Sequence, residues 1–415
     1  MSYGADPEAA METLCLAGDC DHPAISRPIS APLVPATVFT FDSIEDLEAI
    51  GAGQAGGFIY SRGAHPNQAV LERHVSRLEG APAGLACASG MGALSAALMA
   101  TLQAGDRVIA SEALYDRTAM LIKGPLAALG IRPLFVDLSD LAVAAQALAE
   151  PTAVVIAESI SNPLLSVVDI GRLAGLAHLA GACLVVDNTL ATPYHCRPLA
   201  HGADVVVHSG SKYLGGHSDT MTGVVAGPTD LIARAREVMV TLGSPAGAFD
   251  CWLTARGLKT LAVRMARASA NAERVAAYLA GYEGAVRRVH YPGLPPHANG
   301  TARRVLERGF GAMVTFEVNG GREAASAFVR ALRWIRLAPS FGDVCTTVAY
   351  PDGMREGQSN VPTGWPAGLI RLSAGIEDPE DILADLRRGL TAAVAIRAVG
   401  AEGQPDDAED SKAGG

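Results

Sequence analysis

Between residues 84 and 226 the chain alternates short apolar runs with longer stretches in which apolar residues recur at helical spacing. Seven of the runs read as strands, at 84–89, 107–111, 133–138, 154–158, 184–187, 205–208 and 223–226. Strand alternating with helix predicts an α/β fold on a mostly parallel seven-stranded sheet, with helices on both faces. Ahead of it, 59–80 carries Val70, Leu71, His74, Val75 and Leu78 on one helical face, with Asn67 placed to cap the helix start. The proline-rich stretch 28–39 reads as an extended arm that must find its burial elsewhere. From 231 to about 267 a helical pattern is interrupted by a Gly-Ser-Pro-Ala-Gly break at 243–247. Beyond it, 312–320 and 368–377 alternate apolar and polar residues, with a helix at 323–332, as a smaller C-terminal α/β domain would. These shifts divide the chain into an arm (1–62), a large α/β domain (63–255), a C-terminal domain (256–399) and a disordered acidic tail (400–415).

Two of the strands end in groups that are costly to bury. The run 184–187 closes on Asp187, and a carboxylate there needs a positive partner, such as a pyridinium nitrogen. The run 205–208 leads through Ser209, Gly210 and Ser211 to Lys212. Alone, Lys212 reads as an exposed loop lysine. Delivered by a buried strand beside Asp187, it would be partly desolvated, which favours the neutral amine that attacks a carbonyl and makes it a candidate Schiff-base lysine. Ligands in open α/β sheets bind at such carboxyl ends. Ser89, Gly90 and Met91 fall where the first strand turns into a helix, whose free N–H groups suit a phosphate that Gly90 lets approach closely. Ser209 and Ser211 would complete that cradle, and no Gly-x-x-x-x-Gly-Lys-Ser/Thr run offers a nucleotide site instead. Arg371 lies in an alternating apolar segment and needs a partner for its charge; a structural salt bridge would serve as well as a ligand.

Several ordered motifs then carry a resemblance: Tyr-Ser-Arg at 60–62, Ala-Ser-Gly-Met at 88–91, Glu-Ser-Ile-Ser-Asn-Pro at 158–163, Val-Val-Asp-Asn-Thr at 185–189, the lysine run 208–219 and Ile-Arg-Leu-Ser-Ala-Gly-Ile-Glu-Asp at 370–378. Over roughly residues 25–395 the chain resembles the Cys/Met metabolism, or transsulfuration, family of pyridoxal 5'-phosphate (PLP) enzymes. The resemblance implies the aspartate aminotransferase-like fold type I and PLP on Lys212. It implies Tyr60 and Arg62 reaching a neighbour's cofactor phosphate, Tyr115 stacked on the ring as acid or base, Asn162 at the phenolic oxygen and Arg371 on the substrate α-carboxylate. A homo-oligomer with shared sites follows, a dimer or a tetramer of two dimers. The chain departs from the family at His65, Pro66 and Asn67, where relatives have Asn-Pro-Thr, and at Asp116 and Arg117, where they have Gly-Gly or Gly-Cys. Cystathionine-handling relatives place Glu, Arg and Glu at the positions of Ile59, Met120 and Pro339, the last just before Ser340; here all three are apolar. The resemblance therefore favours methionine γ-lyase-like elimination on a small amino-acid substrate. The alternatives are γ-replacement on an O-acyl-homoserine, with Arg117 on an acyl carboxylate, cystathionine γ-lyase, or a non-catalytic PLP-binding chain, against which the intact set Lys212, Asp187, Tyr115 and Arg371 argues.

Composition narrows the field further. A net charge of -10 over 415 residues disfavours nucleic acid as a partner. No apolar run is long enough to span a bilayer, and the start of the chain lacks the basic and apolar blocks of a signal peptide, so a cytoplasmic protein away from membranes is expected. Seven scattered cysteines, an odd number, read as free thiols. Cys15, Cys20 and His22 lack the further ligands of a zinc site, so no metal is expected.

Overall fold

The structure is a computed structural model that describes residues 9–16, 28–295, 300–355 and 364–402. Seven strands, β1 (Ala83–Cys87), β2 (Arg107–Ser111), β3 (Arg132–Val136), β4 (Val154–Glu158), β5 (Cys183–Asp187), β6 (Val205–Ser209) and β7 (Gly223–Gly227), form one sheet in the order β1-β7-β6-β5-β4-β2-β3. Only β7 runs antiparallel to its neighbours. Because side chains alternate across a pleated strand, each core strand feeds two apolar layers. Leu184 and Val186 enter one, whereas Val185, Val205 and Val207 enter the other, beneath the helix Gly90–Thr101. The same parity turns Asp187 and Ser209 towards the start of that helix.

Local chemistry sets the ends of the elements. Expected to run to residue 89, β1 stops at Cys87, because Ser89 is the N-cap of the next helix and accepts the Gly92 N–H at 3.1 Å. β3 stops at Val136, short of the expected 138, where Asp137 Oδ1 accepts the Ser139 N–H at 2.9 Å. The helix Pro66–Glu79 is capped by His65, not by Asn67. Asn67 instead holds the arm: its Oδ1 accepts the Val34 N–H at 2.9 Å and its Nδ2 donates to Pro32 O at 2.7 Å. The arm's second anchor is Trp252, whose indole donates to Ala31 O at 2.8 Å.

The helix Thr229–Leu242 ends at Gly243, which takes φ +72°, and the chain resumes helix at Ala248–Leu258. Next comes the helix Leu261–Ala280, which both cores share. Leu261, Met265 and Ala268 pack in the large core, and Ala272, Val275 and Leu279 in the small one. The small core lies on a second sheet of β8 (Val286–His290), β9 (Met313–Val318), β10 (Arg336–Leu337), β11 (Thr347–Ala349) and β12 (Leu369–Ser373), ordered β10-β11-β12-β9-β8. The helices Gly321–Ala331 and Pro379–Glu402 cover it. The tail expected from residue 400 meets the end of this last helix, and 403–415 lie outside the described residues.

Six cysteines, Cys15, Cys87, Cys183, Cys196, Cys251 and Cys345, carry free thiols, while Cys20 and His22 lie outside the described residues. No cluster of metal-ligating side chains, and no helix long and apolar enough to cross a membrane, occurs among the described residues.

Candidate active site

The carboxyl ends of β4, β5 and β6 open into a cavity of about 890 Å³ whose far wall is supplied by β12 and the loop at 339–341. Ser89, Gly90, Met91, Tyr115, Arg117, Asn162, Asp187, Ser209, Ser211, Lys212, Pro339, Ser340 and Arg371 all line it. The fold thus gathers residues that are up to 282 positions apart in the chain around one space.

Lys212 sits half-buried, its Nζ donating to Ser340 Oγ at 2.7 Å and lying 5.1 Å from the centre of the Phe341 ring. Burial lowers its pKa, and the Arg371 cation adds to the effect. Arg371 is buried in β12; it donates from Nη1 to Asn162 Oδ1 at 2.9 Å and from Nη2 to Ser340 O at 3.1 Å. Burial pulls its guanidinium down to about 10, which leaves it cationic at neutral pH. It meets no carboxylate within ion-pair distance among the described residues, so the structural salt bridge is not its role.

Asp187 Oδ1 accepts the N–H of Thr189 at 2.9 Å and its hydroxyl at 2.5 Å. Thr189 Oγ1 also accepts the Ser209 N–H at 2.8 Å, tying the ends of β5 and β6 together. Burial raises the Asp187 pKa against these donors. A second brace lies underneath, where Glu79 Oε1 meets His208 Nε2 at 2.6 Å and accepts Asn188 Nδ2 at 3.1 Å. These two residues flank Ser209 and Asp187, so the brace fixes both strand ends.

At the start of the helix Gly90–Thr101, Gly90 has no room for a side chain: a Cβ there would lie 2.9 Å from Ser209 Cβ. Gly223 is tighter still, with its Cβ position 2.0 Å from Ser89 O. The backbone N–H groups at the start of the helix Gly90–Thr101 therefore face a small, shaped space. Ser211 lines the cavity, but its hydroxyl also accepts the Thr222 N–H at 3.1 Å.

Four expected site residues do not line this cavity: Ile59, Tyr60, Arg62 and Met120. Tyr60 pairs with Val38 in an isolated bridge and is 45% exposed, with the Arg62 guanidinium 5.3 Å from its ring centre. Met120 is 41% exposed, and its sulfur lies 3.9 Å from Arg117 Nη1. Sequence reasoning missed Glu158, Thr189, Met221 and Trp365, all of which line the cavity. Glu158 had the signal that found Asp187, a carboxylate closing an apolar strand. Met221 and Trp365 had none, since each reaches the cavity from a loop.

The sequence profile of the family described as Cys/Met metabolism PLP-dependent enzyme matches residues 12–391. This chain belongs to that family. It is 38% identical over 369 residues to an L-methionine gamma-lyase of Fusobacterium nucleatum subsp. polymorphum, covering 87% of this chain and 93% of the relative. It is 38% identical over 364 residues to an O-succinylhomoserine sulfhydrylase of Pseudomonas aeruginosa, covering 87% and 90%. A cystathionine gamma synthase from Xanthomonas oryzae pv. oryzae, solved in complex with cystathionine, superimposes with a TM-score of 0.85 at 34% identity, over 93% of this chain and 99% of that one. The family member is thus a PLP-dependent enzyme acting by carbon–sulfur lysis or γ-replacement, and its fold is the mixed α/β architecture of those relatives.

The cavity fits PLP on its own terms. Asp187 has a half-buried carboxylate with no cation within ion-pair distance among the described residues, which a protonated ring nitrogen would satisfy. Lys212 offers a desolvated amine, and the glycine-lined helix start has the free N–H groups that suit a phosphate.

Proposed function

We propose that the chain catalyses γ-elimination on a sulfur amino acid, with methionine as the best-fitting substrate, taking up water and releasing a 2-oxo acid, ammonia and a thiol. The observation that carries this reading is the apolar part of the remaining cavity wall. Once the cradle, Asp187, Lys212 and Arg371 are assigned, the wall still contains Ile160, Met221, Pro339, Phe341, Pro351 and Trp365, beside the polar Asp116, Arg117, Thr118, Ser218 and Thr220. A methylthio group gains from burial against such residues. The distal ammonium and carboxylate of cystathionine would lose water there at a cost on the order of several kcal/mol.

PLP, once bound, supplies a carbonyl that condenses with amines and a ring that takes up the electron pair of a broken Cα–H bond. Arg371 binds the substrate α-carboxylate through its two Nη donors, exchanging Asn162 Oδ1 and Ser340 O for a charged acceptor. Lys212, whose amine is partly desolvated, would hold the cofactor, and its free Nζ would remove the Cα proton and, in turn, one from Cβ. Ser340 Oγ, 2.7 Å from Nζ, aims that amine. Asp187 would keep a ring nitrogen protonated, while the Tyr115 hydroxyl would serve as acid to the departing sulfur. Tyr60 and Arg62 lie outside the cavity of their own chain, beside an arm that exposes Val38 and Ile44, and this supports a dimer in which they complete the partner's phosphate site, with two dimers forming the tetramer.

One observation favours a second reading. Arg117 lines the cavity, and among the described residues its side chain meets only the Met120 sulfur. A cation there suits the distal carboxylate of an O-succinyl group, and hence γ-replacement. Steady-state kcat/KM for methionine, O-acetylhomoserine, O-succinylhomoserine and cystathionine decides between them. Methionine is expected to lead with release of keto acid; a lead for O-succinylhomoserine that Arg117→Leu abolishes establishes the second reading, and a lead for cystathionine refutes the apolar-wall argument.

A further inference from the structure

Glu158 closes β4 inside the cavity wall and has no part in the steps above. It is 7% exposed and stands in register with Asp187 on the neighbouring strand. Its Oε1 accepts the Tyr115 N–H at 2.6 Å, and the Asn162 N–H faces the same carboxyl. Asn162 in turn accepts Arg371 Nη1 at 2.9 Å. One buried side chain therefore joins the loop that carries the Tyr115 ring to the turn that engages Arg371. Tyr115 needs such an anchor, because it starts the helix Asp116–Leu121 without a side-chain cap, and 46% of it is exposed.

We propose that Glu158 is a positioning residue: by accepting the Tyr115 amide it sets where the Tyr115 ring sits over the reacting carbons. This rests on the role given to Tyr115 under the proposed function. Burial, and then the Asp187 charge alongside, push the Glu158 carboxyl well above the usual carboxylate range. An amide oxygen at this position keeps the acceptor for the Tyr115 N–H.

The holoenzyme tests this with three variants. Glu158→Ala removes the acceptor and should lower kcat about 10–100-fold with little change in KM, the scale of a misplaced acid–base group. Glu158→Gln keeps the acceptor and should recover to within about threefold of the parent. In a Tyr115→Phe background Glu158→Ala should cost little more, since the hydroxyl it places is already absent. Independently of turnover, hydrogen exchange at the Tyr115 amide should quicken at least about tenfold in Glu158→Ala and return in Glu158→Gln. Full additivity with Tyr115→Phe, a glutamine variant as slow as the alanine one, or unchanged exchange at Tyr115 overturns the proposal. Failure of the site assignment itself would look different: no visible cofactor band attached to Lys212 in the parent protein.

Discussion

Arg371→Leu is the substitution that bears most directly on the chemistry of the cavity. The guanidinium it removes is buried and aims two donors at neutral oxygens, Asn162 Oδ1 at 2.9 Å and Ser340 O at 3.1 Å. A substrate carboxylate would take both donors as charge-assisted bonds, worth about 1.5–3 kcal/mol each. Losing them costs about 3–6 kcal/mol, or roughly 10²–10⁴ in kcat/KM. Arg371→Lys keeps the charge but not the planar fork, and should lose roughly half of that energy. Leucine also removes the cation that, after burial, depresses the Lys212 amine, so less of that amine is neutral at a given pH. The assay compares binding of methionine with that of its decarboxylated amine, each read from the change in the cofactor's visible band. The variant should lose its preference for methionine while holding the amine about as well as the parent does. Equal losses on both ligands would refute the assignment, because they would locate the damage in the scaffold and not at the carboxylate.

Acid should loosen the fold through two buried histidines. Burial lowers both His74 and His195 from the ordinary 6.5 to about 4. Between those values the unfolded chain binds protons that the folded one refuses, so their contribution is complete above pH 6.5 and lost as pH falls through 4. The loss is up to about 3 kcal/mol for each histidine. A urea midpoint that falls from pH 7 to 4.5, with a shallower fall in His74→Gln, is expected; an unchanged slope in that variant contradicts it. For the shared site, mixing inactive Lys212→Ala chains with inactive Arg62→Ala chains should restore about a quarter of parental activity, since only hybrids hold one intact site of two. Hybrids seen by native mass spectrometry without activity would sink the shared-site reading.

What the chain determined by itself was the scaffold and the ends of its strands. Periodicity located all seven strands of the large sheet, because buried parallel strands must be apolar throughout and a polar residue that closes one is conspicuous. Asp187 and Lys212 stood out for that reason, and the helix start at Ser89 marked itself by its small residues. Tertiary packing decided everything that depends on which segments meet. Asn67 is an intrinsically good cap, yet its side chain is drawn to the arm at Val34 and Pro32, and His65 takes the cap instead. Glu158 acquires its meaning only when β4 and β5 align it beside Asp187 and the Tyr115 loop folds onto it. Met120, apolar and expected in the cavity, stays outside, whereas Trp365 and Met221 enter from loops without periodicity. A strand's interior is dictated by its neighbours in sequence through the pleat, but a cavity wall is assembled from segments far apart in the chain, and no local pattern encodes which of them will face one another.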